Sequence, residues 1–280
     1  MRIKLKKFQC LEHIKRKPNS LTLLIGKRGS GKSHLLKYLA CQYAASGTTT
    51  MVIGFSPTDE SSDVLCSFIP KSLIYSEFDE SVFENILKHQ KRRIKAGKPR
   101  RNVLIVMDDM GFASKQVFKS KVMLQLFYNG RHSNINVLFT LQYLVDLPSA
   151  LRSNLDVIIT LKENIMANRE RLWRMFFGIF PTQKLFDQAM HSCTTNYGAL
   201  VMVANANPLS NEISDSVFWM RAPQTIPPVR LGLPCFWQLD QQCYEDKEFN
   251  QTCVEVRGVV AEDEANSRAS SRYENQFAMM

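Results

Sequence analysis

The sequence predicts an α/β fold in which a mostly parallel sheet carries helices on both faces. Three observations predict it. Short apolar runs that suit buried strands alternate with stretches of helical periodicity. The first of these runs leads directly into a glycine-rich segment and then a helical pattern. A later run ends in two consecutive aspartates, and in parallel sheets the loops at the carboxyl ends of the strands usually carry such polar groups.

The predicted elements follow one another with short connections. Strands are predicted at residues 21–25, 51–55, 103–107, 137–141 and 157–161, with further candidates at 199–204 and 217–220. Helices are predicted at residues 32–45, 79–96, 117–128, 166–177 and 182–191. The 103–107 run is continuous and apolar, as a central parallel strand is. The 79–96 helix has one apolar face, made of Phe83, Ile86, Leu87 and Ile94. Its basic residues Lys88, Lys91, Arg92 and Lys95 point elsewhere.

These elements predict one α/β domain at residues 21–222, preceded by a basic segment at residues 1–20. Prolines then become frequent, so residues 223–260 are predicted to form an irregular extension. The prolines that break the pattern are Pro223, Pro227, Pro228 and Pro234. Residues 261–280 are rich in Glu, Ser and Asn with few large apolar groups, and are predicted to be disordered.

The composition argues against a membrane-spanning or secreted protein. No run approaches the roughly 20 apolar residues of a spanning helix, and the basic N-terminus lacks the apolar run of a secretory signal. The seven cysteines include no C-x-x-C pair, and the five histidines add no metal-ligand spacing. We therefore expect a cytosolic protein with reduced thiols and with neither zinc nor a disulfide framework.

The charge is unevenly distributed. The chain has a net charge of +10, but residues 240–280 hold 9 acidic and 4 basic side chains, a net of −5, which leaves +15 on residues 1–239. Such a basic body suggests a polyanionic partner, nucleic acid before membrane. Residues 88–101 alone hold eight lysines and arginines. This run is interpreted either as a phosphate-binding surface or as a solvated helix face.

Residues 26–33 read GKRGSGKS and fit the P-loop pattern G-x-x-x-x-G-K-[ST]. In this pattern the glycines let backbone N–H groups curl around phosphate oxygens, and the following helix directs its positive end to the same place. Lys32 is expected to reach the β- and γ-phosphates of a nucleotide, and the Ser33 hydroxyl to bind Mg²⁺. The predicted nucleotide-binding residues are Gly26, Lys27, Arg28, Gly29, Ser30, Gly31, Lys32 and Ser33.

Asp108 and Asp109 follow the 103–107 strand directly. Their position at a buried strand tip places them at the crevice where α/β sheets bind ligands. Asp108 is the candidate Mg²⁺ ligand, and Asp109 is the candidate general base that polarises the attacking water. The alternative is an Asp-Asp pair that only caps the loop after the strand.

Three further polar residues are candidates for catalysis. Gln142 follows the 137–141 strand, where an amide can sense the γ-phosphate, although a plain surface amide fits the same pattern. Arg131 and Arg152 are candidates for stabilising the transferred phosphoryl group. A neighbouring subunit can supply such an arginine to the site. Each of them fits a structural ion pair equally well.

Several segments occur in an order and spacing that resemble one family. They are Asn129-Gly130-Arg131-His132, Gln142-Tyr143, residues 151–156 (LRSNLD), Glu163-Asn164, residues 177–182 (FGIFPT) and Val217-Phe218-Trp219. Together with Ile69-Pro70 and Gln90, they resemble the genome-packaging ATPases of nucleocytoplasmic large DNA viruses, within the FtsK–HerA superfamily of DNA-pumping ATPases. The resemblance covers residues 21–222.

This resemblance implies a RecA-like core in which the strand before Gln142 lies between the strand that leads into the P-loop (Walker A) and the strand that ends at Asp108 (Walker B). It also implies a homo-oligomeric ring around double-stranded DNA, with Arg131 as the first candidate for a finger acting on the neighbouring site and Arg152 as the second. Asp109 departs from the pattern, because cellular relatives usually carry Glu there.

The function expected from the resemblance is an ATP- and Mg²⁺-dependent motor that moves viral double-stranded DNA into a capsid. Its expected partners are DNA, other copies of the chain, and capsid or portal-vertex proteins, with no membrane. The expected location is the host cytoplasm at the assembly site, or the virion. The alternatives are a cellular or plasmid DNA translocase of the same superfamily, and a small-molecule P-loop kinase.

Overall fold

The computed structural model describes residues 3–17, 19–99, 101–109, 117–144, 147–204, 206–207 and 209–243. Within them the strands are β1 (Lys6–Lys7), β2 (Leu21–Ile25), β3 (Thr49–Phe55), β4 (Ile74–Tyr75), β5 (Asn102–Met107), β6 (Ile135–Leu141), β7 (Val157–Thr160), β8 (Gly198–Val203) and β9 (Val217–Arg221). The α-helices are α1 (Cys10–Arg16), α2 (Lys32–Ser46), α3 (Asp59–Cys66), α4 (Glu80–Lys95), α5 (Lys121–Asn129), α6 (Ser149–Arg152), α7 (Met166–Phe176), α8 (Gln183–Cys193), α9 (Ile213–Ser216) and α10 (Pro234–Cys243). Short 3₁₀ helices cover Lys71–Leu73, Gly130–Ser133 and Thr195–Tyr197.

The strands form one sheet in the order β1-β9-β8-β7-β2-β6-β5-β3-β4. Strand β8 is antiparallel to both of its neighbours, β7 and β9, and the other described pairings are parallel. The predicted mostly parallel α/β fold is therefore confirmed. Strand β6 lies between β2 and β5, as the resemblance implied.

The central strands are buried along their whole length. Every residue of β2 and β6 is buried, and β5 is buried from its second residue onward. Their Val, Ile and Leu side chains suit a sheet covered on both faces. The rings of Phe118 and Phe127 pack edge-to-face on each other and on Phe139 of β6. The sheet is consequently a rigid support for the loops at its carboxyl edge.

The N-terminal segment is part of the domain. Strand β1 pairs with β9, and helix α1 packs on α2. Lys17 donates to the buried Asp156 carboxylate at 2.6 Å, and the other oxygen of Asp156 accepts the Leu21 amide at 2.9 Å. The carboxylate therefore joins the segment before β2 to the start of β7.

The C-terminal extension differs from the prediction of irregular structure. Residues 222–233 contain no helix or strand, but their backbone is anchored: the Leu231 amide donates to Phe68 O and the Leu233 amide to Thr50 O. Helix α10 then begins at Pro234, because proline is favourable in the first turn of a helix although it disrupts the interior. Asp240 on α10 accepts the Ser72 amide at 2.7 Å. The rest of the extension and the 261–280 tail lie outside the described residues.

Within the described part of the chain, none of the helices is long and apolar enough to cross a bilayer.

Candidate active site

The P-loop connects β2 to α2 at the carboxyl edge of the sheet, as the sequence predicts. Gly29 and Gly31 have φ values of +76° and +93°, which residues with a Cβ rarely adopt. A Cβ on Gly26 would lie 2.6 Å from Ser30 Oγ and 2.7 Å from Leu161 Cδ1, so a larger residue there would have to displace these two side chains. Ser30 Oγ donates to Lys27 O at 2.6 Å and closes the loop from within. These contacts hold the loop in the curled form that phosphate binding requires.

Lys32 of the P-loop and the two aspartates that follow β5 form one charged cluster. Lys32 Nζ lies 3.4 Å from Asp109 Oδ1 and 4.0 Å from Asp108 Oδ1. Asp108 is 1% exposed, Lys32 10% and Asp109 22%, so the cluster opens to solvent at Asp109. The structure thus brings together the residues predicted for phosphate binding, metal binding and proton transfer.

Thr140 links both aspartates to β6, and sequence reasoning missed it. Its hydroxyl donates to Asp108 Oδ1 at 2.5 Å and accepts the Asp109 amide at 3.0 Å. The side chain is fully buried. The sequence signals this residue only as a polar side chain within an apolar strand. That signal is not specific, because threonine is common in strands, which its β-branched side chain suits.

The Gln142 side chain contacts the Asp109 carboxylate. Its Nε2 contacts both carboxylate oxygens of Asp109, at 2.7 and 2.8 Å. The residue predicted to sense the γ-phosphate is therefore in direct contact with the residue predicted to be the base. This arrangement allows one side chain to report a change at the phosphate to the other.

The backbone at position 109 explains why an aspartate occupies it. Asp109 has a φ of 52°, in the left-handed region. Asp and Asn tolerate this region better than other residues with a side chain, because their short polar groups can hydrogen-bond locally. The departure from the usual Glu thus matches the local turn. The carboxylate still reaches Lys32 and Gln142 from this backbone.

The donor set at this cluster fits Mg²⁺. Asp108 Oδ2 is buried and has no hydrogen-bond partner among the described residues, so one carboxylate oxygen remains for a cation or its bound water. Ser33 is exposed at the start of α2. A carboxylate and a hydroxyl are the oxygen ligands that Mg²⁺ accepts beside phosphate and water.

Glu163, which lies after β7, clamps the P-loop from the side opposite the aspartates. Its carboxylate accepts Lys27 Nζ at 2.7 Å, the Ile165 amide at 2.8 Å and Asn168 Nδ2 at 3.1 Å. Burial acts to raise the pKa of the Glu163 carboxyl, but these three donors outweigh it and hold that pKa below its ordinary value. The sequence offered no role for this residue, because the pairing depends on β7 lying beside β2.

The backbones of Arg131 and Arg152 lie at the edge of the sheet opposite to the cluster. Arg131 lies in the 3₁₀ helix Gly130–Ser133 directly before β6, and its side chain is outside the described part of the structure. Arg152 ends α6 before β7, and its guanidinium contacts the Met175 sulfur at 3.2 Å. Both residues precede a strand whose far end carries the site. They therefore lie at the amino edge of the sheet, whereas the P-loop lies at its carboxyl edge.

Arg28 is exposed and pairs at 3.4 Å with the equally exposed Glu60 of α3. Such a solvated pair contributes little to stability. Because this ion pair is weak, the Arg28 side chain can leave Glu60 when a ligand binds.

The chain is similar to several proteins of large DNA viruses. Protein 088R of Invertebrate iridescent virus 3 is 34% identical over 204 residues, which make up 73% of this chain and 76% of that protein. Protein L437 of Acanthamoeba polyphaga mimivirus is 29% identical over 208 residues, 71% of this chain and 72% of that protein.

A solved structure shares the fold. The genome packaging NTPase B204 from Sulfolobus turreted icosahedral virus 2, in complex with AMPPCP, has a TM-score of 0.52 and 15% identity, covering 74% of this chain and 99% of that chain. Residues 6–190 match the family described as poxvirus A32 protein. The resemblance that the sequence predicts is confirmed: the chain belongs to the poxvirus A32 protein family.

Proposed function

We propose that this chain is the ATP-hydrolysing motor that moves viral double-stranded DNA into the capsid. The observation that carries the proposal is the cluster at the carboxyl edge, where the P-loop lysine faces two aspartates and a glutamine contacts the second aspartate. This set holds a group for phosphate, a group for Mg²⁺ and a group for the attacking water. Family membership, and the likeness to a protein described as a genome packaging NTPase, support packaging as the purpose of the hydrolysis.

The contacts of Lys32 suggest how the site responds to ATP. The Lys32 ammonium contacts Asp109 Oδ1 at 3.4 Å. The β- and γ-phosphates of ATP attract the same ammonium, so binding would draw Lys32 away from Asp109. The Asp109 carboxylate, oriented by Gln142, would then be free to accept a proton from water.

Mg²⁺ would be held by Asp108 and Ser33, and it would neutralise charge on the β- and γ-phosphates. Thr140 would keep the Asp108 carboxylate in place, since its hydroxyl donates to Oδ1 and leaves Oδ2 available. Nucleotide binding itself is supported by the AMPPCP complex of the B204 protein.

Double-stranded DNA is the proposed polyanionic partner. The helix α4 ends in a basic surface formed by Lys88, Lys91, Arg92, Lys95 and Lys98, all exposed. Gln90 Nε2 donates to Arg101 O at 2.5 Å, which fixes this end of α4 beside the start of β5. The basic surface therefore lies at the amino edge of the sheet, away from the nucleotide site.

A ring of copies of this chain is the proposed working assembly, with capsid or portal-vertex proteins as its further partners. The placement of Arg131 and Arg152 supports a ring, because an arginine at the amino edge can act on a nucleotide only in another subunit. The proposed setting is the viral assembly site in the host cytoplasm.

Steady-state ATP hydrolysis with and without double-stranded DNA tests the proposed function. We expect Mg²⁺-dependent multiple turnover that DNA stimulates and that nucleosides do not. Lys32→Ala, which removes the charge that faces the β- and γ-phosphates, should abolish turnover and serves as the control for contaminating ATPases. Turnover that responds to a nucleoside but not to DNA would indicate a small-molecule kinase instead. Binding without multiple turnover would exclude a motor.

A further inference from the structure

Tyr197 stands directly against the P-loop although it is distant in sequence. A Cβ on Gly31 would lie 3.0 Å from Cδ1 of Tyr197 and 3.6 Å from its Cβ. The Tyr197 side chain is nevertheless one of the most exposed aromatic groups in the described chain, at 69%. The Tyr197 ring thus contacts the P-loop, while most of the ring surface is not packed against the rest of the domain.

The segment that carries this ring is fixed in an unusual conformation. Asn196 and Tyr197 both have positive φ values, 51° and 57°, and for Tyr this region is disfavoured. The Arg221 guanidinium donates to Thr195 O at 3.1 Å. The next residue, Gly198, packs so closely on the Cys193 carbonyl that a Cβ would lie 2.1 Å from its oxygen. The surrounding structure therefore holds the backbone from which the ring projects.

The strand pairing places Tyr197 on one particular side of the P-loop. Thr160 of β7 pairs with Ile25, the last residue of β2, and with Leu200 near the start of β8. Tyr197 precedes β8, so it lies beyond β7 at the carboxyl edge. The aspartates and Gln142 follow β5 and β6, which lie on the other side of β2.

A nucleotide held by the P-loop has two ends. Its γ-phosphate must point towards Asp109 and Gln142, where hydrolysis is proposed to occur. Its ribose and base must then leave the loop on the opposite side. That side is bordered by Tyr197 and by the first turn of α2, where His34 Nε2 donates to Pro223 O at 2.8 Å.

We propose that the exposed ring of Tyr197 is the stacking platform for the base of the bound nucleotide. This inference rests on the proposed function and adds the site of the nucleoside end to it. Aromatic rings stack on bases of any identity, because every base has a π-face. Tyr197 would therefore strengthen binding of ATP without by itself selecting adenine.

Calorimetric titration with ATP and with inorganic tripolyphosphate separates the base from the phosphates. Loss of base–aromatic stacking costs about 1–3 kcal/mol, which corresponds to roughly 5- to 150-fold in affinity. We expect Tyr197→Ala to weaken ATP binding by a factor within this range and to leave tripolyphosphate binding unchanged. Tyr197→Phe, which keeps the ring, should bind both ligands like the wild type.

Tyr128→Ala is the matched control, since Tyr128 is 52% exposed and lies on α5, which leads to the amino edge. If Tyr197→Ala does not fold, Tyr197→Asn takes its place, because Asn tolerates a positive φ. The stacking role of Tyr197 would be excluded if the variant bound ATP with unchanged affinity, or if its affinities for ATP and for tripolyphosphate fell equally. Either result would leave the proposed function intact. Wild-type protein that binds neither ligand would overturn both.

Discussion

Asp109 is the residue on which the proposed chemistry depends most. It is contacted by Lys32, by Gln142 and, through its amide, by Thr140. Each of these neighbours comes from a different position in the sequence, and two of them lie on or directly after β6. A change at Asp109 therefore tests the catalytic assignment without removing a P-loop or metal residue.

We expect Asp109→Asn to bind Mg·ATP but to hydrolyse it at least a hundredfold more slowly, because a general base contributes about 10²–10⁴ in rate. Asparagine keeps the shape and tolerates the left-handed backbone, so the loss would reflect the proton acceptor. Titration calorimetry measures binding, and steady-state phosphate release measures turnover.

Glu60→Gln is the matched control for this change. It removes a carboxylate from the neighbouring helix α3, where the exposed pair with Arg28 contributes little. Wild-type turnover in Asp109→Asn would show that the base lies elsewhere, and loss of turnover in Glu60→Gln would then identify the 56–63 region.

At the scale of single residues, sequence patterns located the side chains but not all of their contacts. The P-loop motif and the strand-end rule place Lys32, Asp108, Asp109 and Gln142 at one edge, and the structure brings them together. Their catalytic roles stay predictions. Thr140 was missed, and Glu163 was noted only as part of a family-like segment with no role assigned. The partners of both residues depend on which strands are neighbours, and no local pattern records that.

At the scale of elements, helix α4 shows how one amphipathic pattern yields both a core face and a charged face. Val82, Phe83, Ile86 and Leu87 are buried on it, and its lysines are exposed. Ile94, which the pattern also assigns to the apolar face, is instead 37% exposed in the last turn of the helix. The pattern predicts the helix within a residue at each end. It does not distinguish a DNA-binding surface from a solvated one, since both need only exposed charge.

Salt dependence of DNA binding separates these two interpretations. Each phosphate contact adds roughly −0.9 to the slope of log affinity against log salt, so replacing Lys91, Arg92 and Lys95 with Gln should flatten the slope by about two to three units. Binding should weaken equally on unrelated sequences, because phosphates carry no base identity. Fluorescence anisotropy at several salt concentrations measures both.

Three exposed basic residues elsewhere, Lys15, Arg16 and Lys184, form the control triple when changed to Gln. This triple lowers the net charge equally. If both triple variants change the salt slope of DNA binding by the same amount, the basic surface of α4 is not a specific DNA contact. If neither variant changes the slope, residues 88–101 form a solvated helix face.

Elements at the two ends of the domain were the hardest to predict. Both residues of β1 are exposed, so the strand shows no alternation of apolar and polar residues. Helix α10 follows three closely spaced prolines, which signal irregular structure, yet its own proline is in the first turn. Both elements form because the rest of the domain offers an edge strand or a surface to pack against.

At the scale of the whole molecule, the sheet separates two sets of charged groups. The P-loop and the aspartates lie at the carboxyl edge, whereas Arg131, Arg152 and the basic end of α4 lie at the amino edge. Strand β6 has seven residues and so spans roughly 20 Å between the edges. The backbone of Arg131 is therefore too far from its own P-loop for the side chain to reach a bound phosphate.

An arginine placed in this way can contribute to hydrolysis only in a neighbouring subunit. We expect Arg131→Ala to bind ATP normally and to hydrolyse it at least a hundredfold more slowly, since an arginine finger supplied by another subunit contributes roughly 10³–10⁵ in rate. The ATP affinity should not change, because the affected chain keeps its own P-loop. Calorimetry and phosphate release on the assembled protein measure the two quantities.

Mixing Arg131→Ala with Lys32→Ala tests whether the finger acts between subunits. Each variant alone lacks one part of every site, but in a mixed ring some interfaces join an intact P-loop from one variant to an intact arginine from the other. Activity should therefore return on mixing, with assembly verified by size. A mixture of Arg131→Ala with the double variant Lys32→Ala/Arg131→Ala contains no complete interface and should stay inactive. If assembled mixed rings show no recovery, the same test applies to Arg152, and its failure there would rule out a shared site.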